Sequence, residues 1–81
     1  MMQISDVFKI VSDSLGVDLD LIGLDSSSEN LEEWDSLGHI TILSGLDDFT
    51  SGKSADLVDL TQATSVQELI DVLKENNFID K

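Results

Sequence analysis

Residues 35–49 read DSLGHITILSGLDDF, and the predicted fold is built around these residues. Its apolar residues recur every three or four positions, which predicts an α-helix, and Asp35 is a suitable cap for the first turn. Two glycines inside the pattern, Gly38 and Gly45, each cost about 1 kcal/mol relative to alanine. Turn-forming residues at 50–52 end the pattern. The stretch therefore predicts a central helix that begins at the Asp-Ser pair.

Shorter signals on either side predict further helices. Residues 5–15 are capped by Ser5, are followed by Gly16, and share an apolar stripe with helical steps: Ile4, Val7, Phe8, Val11 and Leu15. Towards the other end of the chain, residues 64–68 offer overlapping capping boxes for a last helix that ends near residues 76–77. Between them, residues 54–62 hold enough apolar residues for two turns of helix and no more.

The connection over residues 17–34 is unusually long. Structureless loops longer than about 12–15 residues are uncommon in compact domains and are usually functional. Apolar residues alternate irregularly with turn residues here, so we expect this loop to lie packed across the core, with room for a short helical turn. The predicted fold is an all-α, small four-helix bundle, with three main helices, a short third helix and a long loop between helices 1 and 2. Residues 1–81 form a single domain.

Composition and charge exclude several classes of function. The chain has 81 residues, and four Lys against 17 Asp and Glu give a net charge of −13. Nucleic acids and anionic membranes attract Lys and Arg, so we expect binding to neither. An acidic surface is instead steered toward basic patches on partner proteins. No apolar run reaches the ~18 residues of a membrane span and no basic segment precedes an apolar stretch, so we expect a cytoplasmic monomer.

Few residues could carry out chemistry alone. The chain has no cysteine and one histidine, His39, which we interpret as an exposed or half-packed helix residue. Trp34 could stack on a ligand, although an anchor of the loop to the core is the favoured interpretation. Residues 18–29 match the length of a calcium-binding loop, but Ile22 and Asp25 stand at positions that require an oxygen ligand and an apolar residue, respectively. We therefore expect no metal site, no catalytic residues and no enzyme activity.

Ser36 has the most informative context. It follows a long loop and opens a predicted helix in a domain too poor in bases to act as an enzyme. A helix N-terminus presents unpaired N–H groups and the positive end of the helix dipole, which favour a phosphate. Ser36 is therefore a candidate for covalent attachment of a phosphate ester by another enzyme.

The stretch LEEWDSLGHI at residues 31–40 resembles the Asp-Ser-Leu attachment motif of acyl carrier proteins, and the order of predicted helices resembles that family along the whole chain. The resemblance implies that Ser36 carries a 4′-phosphopantetheine arm, which a phosphopantetheinyl transferase adds from coenzyme A. The thiol of the arm would hold an acyl group, or a related carboxylic intermediate, as a thioester. Asp35 would cap the helix and contact the transferase or its metal ion.

The resemblance also implies a docking face for partner enzymes. The expected apolar contacts are Leu37 and Ile40, ringed by four acids: Asp47, Asp48, Asp56 and Asp59. Acyl-activating enzymes, acyltransferases and synthases with basic patches are the expected partners, in fatty-acid, polyketide or related specialised biosynthesis.

The chain departs from the family pattern early in the second helix. Gly38, His39 and Thr41 stand where carriers for general fatty-acid synthesis usually have acids, so dedicated partners are expected. The alternative function is an acidic helical protein-interaction module without a prosthetic group.

Overall fold

The computed structural model describes residues 2–79, and four α-helices and two 3₁₀ turns account for its regular structure. The elements are α1 (Ile4–Leu15), a 3₁₀ turn at Leu19–Leu21, α2 (Ser36–Phe49), a 3₁₀ turn at Lys53–Asp56, α3 (Val58–Gln62) and α4 (Val66–Glu75). This part of the chain contains no strand, and the predicted all-α bundle with a short third helix is confirmed. None of the described helices combines the length and apolar character that crossing a membrane requires.

The core lies where α1, α2 and α4 meet. Nine side chains are almost completely buried: Val7, Val11, Ile42, Leu46, Leu60, Val66, Leu69, Ile70 and Leu73. Burial of each such side chain contributes about 1.5–3 kcal/mol relative to exposure. The predicted stripe of α1 faces this core, whereas α2 buries only Ile42 and Leu46 and leaves other apolar residues exposed.

The start of α1 differs from the sequence prediction. The helix begins at Ile4, and its N-cap is Gln3 rather than Ser5. The carboxylate of Asp6 accepts a hydrogen bond from the backbone N–H of Gln3 at 2.8 Å, and the N–H of Asp6 donates back to the carbonyl oxygen of Gln3 at 2.9 Å. Asp6 thus fixes the start of the helix two residues earlier than a serine cap at position 5 would. At the other end, Gly16 adopts a left-handed conformation with φ of 67°, as predicted.

The long loop is packed against the bundle, as predicted, and it contains one short 3₁₀ turn. It joins the start of α4 through two backbone hydrogen bonds, from the N–H of Ser28 to the carbonyl of Thr64 and from the N–H of Val66 to the carbonyl of Ser26, both 2.9 Å. The second bond satisfies one of the N–H groups that a helix start leaves unpaired. The loop also buries Val17, Ile22 and Trp34 in the core.

The two glycines of α2 permit close approach of neighbouring chain segments. A methyl group at Gly38 would overlap the backbone carbonyl oxygen of Glu33 and lie 2.8 Å from Leu15 Cδ2. A methyl group at Gly45 would lie 2.8 Å from Ile10 Cγ2. The two glycines lower the helix propensity of α2. Because they have no side chain, however, α2 can lie close to α1 and, at Gly38, to the end of the loop.

Ser65 caps the start of α4, as the sequence predicts, but Glu68 does not complete a capping box with it, because the Glu68 carboxylate accepts the N–H of Thr64 rather than that of Ser65. The N–H of Glu68 donates to Ser65 Oγ at 3.1 Å, and Glu68 Oε2 accepts the N–H and the hydroxyl of Thr64, both at 2.9 Å. The hydrogen bond from the Thr64 N–H, followed by that from its hydroxyl, lowers the pKa of Glu68 below its ordinary value of 4.5. The ionised form of Glu68 is thus favoured in the folded chain.

Gly38→Ala is expected to destabilise the fold by about 1–3 kcal/mol, because the new methyl group meets a backbone carbonyl that cannot move without the loop. Ser44→Ala is the matched control, since Ser44 is exposed on the same helix and alanine there only raises helix propensity. Urea unfolding followed by circular dichroism measures both. A Gly38→Ala variant as stable as the wild type would contradict the close contact.

Glu68→Gln is expected to lower the free energy of unfolding at neutral pH, and this deficit should shrink in acid. Because the pKa of Glu68 is lowered by folding, its stabilisation is present above 4.5 and disappears as the pH falls through the folded-state value. Glu75→Gln is the control, since it removes the same charge from the C-terminal end of α4, where the helix dipole disfavours it. Unfolding curves at neutral pH and well below 4.5 test this expectation. If Glu68→Gln lowered the free energy of unfolding equally at both pH values, or not at all, the ionised carboxylate of Glu68 would not be stabilising the fold.

Candidate functional site

Ser36 is the first residue of α2 and its side chain is exposed to solvent. Within residues 2–79 its hydroxyl takes part in no hydrogen bond. The preceding residue, Asp35, is the N-cap, and its Oδ1 accepts the N–H of Gly38 at 2.8 Å, as the sequence predicts. The cap therefore fixes the first turn of the helix without engaging the serine hydroxyl, which is left accessible at the positive end of the helix dipole.

The loop is held beside Ser36 by a hydrogen-bonded bridge through two aromatic rings. Trp34 is 3% exposed, and its Nε1 donates to His39 Nδ1 at 3.0 Å. His39 Nε2 lies 2.9 Å from the carbonyl oxygen of Leu60 in α3. An indole N–H can only donate, so Nδ1 must accept and Nε2 carries the hydrogen that His39 donates to Leu60. The bridge joins the loop, α2 and α3.

The bridge was only partly predictable. The interpretation of Trp34 as an anchor, and of His39 as a half-packed helix residue, agrees with the structure. The pairing of the two side chains was missed, because a five-residue spacing across the start of a helix has no characteristic pattern. The single signal in the sequence was that the only tryptophan and the only histidine stand so close together.

The predicted apolar contacts of the docking face lie near Ser36. Leu37 and Ile40 project from the first turns of α2 and are 75% and 61% exposed. They are two of seven large apolar side chains that are exposed among residues 2–79, the others being Leu19, Leu21, Leu24, Phe49 and Val58. Exposed apolar groups that adjoin one another commonly mark interaction sites.

The four predicted acids do not surround these residues as one ring. Asp48 is exposed, whereas Asp47 is half-buried and borders a groove between α2 and α3 together with Ile40. Asp56 and Asp59 are exposed and border a depression on the other side of α3, next to Val72 of α4. The acids are thus divided between two surfaces.

The groove between α2 and α3 has a volume of about 360 Å³. Apolar side chains stand on both walls, with Ile40 and Leu43 from α2 facing Leu57 and Leu60. The groove is also lined by four polar residues: Ser44, Asp47, Ser54 and Thr61. Sequence reasoning did not find it, because residues 54–62 predict a short helix but not which side of α2 it covers. The groove opens one helical turn beyond Ser36.

The calcium interpretation of residues 18–29 finds no support in the geometry. Across residues 2–79 no group of three or more histidine or acidic side chains lies close enough together to hold a metal ion. Asp18 precedes the 3₁₀ turn, Asp20 lies within it, and Ile22 is buried in the core.

Comparison with protein-family models, with curated proteins and with solved structures found no match to this chain.

His39→Ala is expected to lower the free energy of unfolding by about 1–3 kcal/mol, because it leaves the buried indole N–H of Trp34 without an acceptor. His39→Gln should recover part of the loss, since its amide can accept and donate. Urea unfolding followed by the fluorescence of the only tryptophan measures stability, and a shift of its emission to longer wavelength in His39→Ala reports water at the indole. Equal stability of all three proteins would show that the bridge contributes nothing.

Proposed function

We propose that this chain is an acyl carrier protein, which holds an acyl or related carboxylic intermediate on a 4′-phosphopantetheine arm attached to Ser36 and presents it to partner enzymes. The observation that carries the proposal is an exposed serine with a free hydroxyl at the first position of a capped helix. The resemblance of residues 31–40 to the family's attachment motif supports the same residue.

The residues around Ser36 fit such a group. Ser36 Oγ would form the phosphodiester, close to the N–H groups and the positive end of the α2 dipole, which favour a phosphate. When bound, the arm supplies a thiol that holds the acyl group as a thioester. Asp35 keeps the first turn of α2 in place, and the Trp34–His39 bridge fixes the end of the loop beside that turn. The chain itself supplies no catalytic residue in this proposal.

The proposed partners are a phosphopantetheinyl transferase and, in the cytoplasm, acyl-activating enzymes, acyltransferases or synthases with basic docking patches. Leu37 and Ile40 would supply the apolar contacts, and the high net negative charge would steer association. The departures from the general fatty-acid carriers have internal causes, since Gly38 contacts the loop backbone and His39 forms the bridge. The lack of acids at positions 38, 39 and 41, where general fatty-acid carriers usually have them, favours specialised fatty-acid or polyketide biosynthesis over a general synthase.

A second candidate is an acidic helical interaction module without a prosthetic group. The strong exposure of Leu37 and Ile40 favours it as much as it favours a carrier, because both need a docking face. Only the carrier requires a reactive hydroxyl at Ser36, so modification of this residue separates the two functions.

Incubation with coenzyme A, magnesium and a broad-specificity phosphopantetheinyl transferase is expected to add one phosphopantetheine to the wild type and none to Ser36→Ala. The substitution should change the free energy of unfolding by no more than ~0.5 kcal/mol, because Ser36 is exposed and Asp35 makes the cap. Intact-mass spectrometry and thermal unfolding measure both effects.

Ser44→Ala is the matched control, since Ser44 is an exposed serine of the same helix and its loss should leave modification unchanged. Failure of several such transferases to modify the wild type would favour the interaction module. Modification of Ser36→Ala would move the attachment site to another residue.

A further inference from the structure

A single hydrogen bond joins the last part of the long loop to the helices. Residues 29–34 form hydrogen bonds with one another and with residues 25 and 27 of the same loop. Among residues 2–79, the one hydrogen bond from this segment to a helix runs from Trp34 Nε1 to His39 Nδ1 of α2. The backbone bonds to the start of α4 lie earlier in the loop, at Ser26 and Ser28. The segment that leads into α2 therefore has its polar attachment at one imidazole nitrogen.

This hydrogen bond requires an uncharged imidazole. Protonation of His39 places a second hydrogen on Nδ1, where it meets the N–H of Trp34. The buried indole then loses its acceptor without gaining water in exchange. An indole N–H lies in the plane of its ring, so the new charge stands at the positive edge of the indole and not over its face, where a cation is attracted. The hydrogen on Nε2 is unaffected, so the bond from His39 to the carbonyl of Leu60 in α3 is kept.

The charged groups that adjoin the Trp34–His39 bridge are all acidic. On the three segments that the bridge joins they are Glu33 in the loop, Asp35 before α2 and Asp59 in α3, and all three are exposed. No lysine occurs in the loop, α2 or α3. Carboxyl groups usually take up a proton at about pH 4, whereas an imidazole does so at about pH 6.5. Since the chain has one histidine and no cysteine, His39 is the side chain whose charge ordinarily changes between about pH 8 and about pH 5.

We propose that His39 is a pH-sensitive switch for the end of the loop. The neutral imidazole holds Trp34, and with it residues 29–34, against α2, and protonation of Nδ1 releases this segment while the helices stay packed. The released segment ends two residues before Ser36, so one side of the surroundings of this serine changes with pH. A partner that contacts the loop and the first turn of α2 together would bind an ordered surface at neutral pH and a looser one in acid. The switch is a property of the chain alone, so it does not depend on the proposed function.

The only tryptophan of the chain gives a direct test, because its indole N–H has a single nuclear magnetic resonance signal. Its protection is the exchange rate of free indole divided by that of Trp34 at the same pH, which removes the pH dependence of exchange itself. Protection should fall about tenfold between about pH 8 and about pH 5, which corresponds to ~1.4 kcal/mol for the lost hydrogen bond. The ring signals of His39 measure its protonation in the same sample. The amides of Ile42 and Leu46, which α2 buries in the core, should keep their protection.

Two variants separate the imidazole from other groups that acid affects. His39→Asn places an amide oxygen near the position of Nδ1, where it can accept the indole N–H but takes up no proton in this range. Protection of the indole in this variant should be the same at both pH values. Trp34→Phe removes the donor and leaves His39 free to titrate. The amide shifts of Leu31 and Glu33 should follow the protonation of His39 in the wild type and should not follow it in Trp34→Phe.

Unchanged protection of the wild-type indole after His39 has become protonated, or no protonation of His39 down to about pH 5, would overturn the inference. An equal loss of protection in His39→Asn would also overturn it, because acid would then act through another group. A parallel loss at Ile42 and Leu46 would show that the whole fold opens, and not the loop alone. Because none of these measurements uses a modified protein, failure of the transferase reaction at Ser36 would refute the carrier function and leave this result standing.

Discussion

The hydrogen bond from the indole of Trp34 to His39 is the contact on which the arrangement of the site depends. His39 lies on α2 and its second ring nitrogen reaches the carbonyl of Leu60, so one imidazole fixes the end of the loop and the position of α3 together. Leu60, which this geometry ties to α2, also lines the groove between α2 and α3. If the loop separated from α2, the buried indole N–H of Trp34 would lose its acceptor, at a cost in free energy.

The elements of the fold could be predicted because their signals are local. Apolar periodicity gave α1, α2 and α4, and the capping residues Asp35 and Ser65 lie where the sequence indicates. The cap of α1 was wrong, because a serine is a general cap signal, whereas the choice of Gln3 depends on the reach of the Asp6 carboxylate. Local propensity is a weak guide wherever a neighbouring side chain competes for the same backbone groups.

The position of Ser36 at the start of α2 was predictable from the sequence, and the arrangement of the residues around it much less so. Residue spacing indicates which side chains share a face of one helix, so it could group Leu37 with Ile40 but could not orient the acids of a different segment. Asp56 and Asp59 therefore lie beside α4, away from the groove that Asp47 borders. From the sequence, Gly38 was interpreted only as a residue that lowers the helix propensity of α2. Its role in allowing the carbonyl of Glu33 to approach α2 is visible only in the three-dimensional structure.

The pairing of the loop with the start of α4 also has a consequence for folding kinetics. Most contacts in a helical bundle are local, which allows fast folding, but the bond between Ser26 and Val66 joins residues 40 positions apart. Closing so long a segment carries an entropy cost that must be met before the contacts within it form. The loop that leads to Ser36 should therefore pair with the first turn of α4 in one cooperative step, after the helices have formed. The loop side of the surroundings of Ser36 is then completed late in folding.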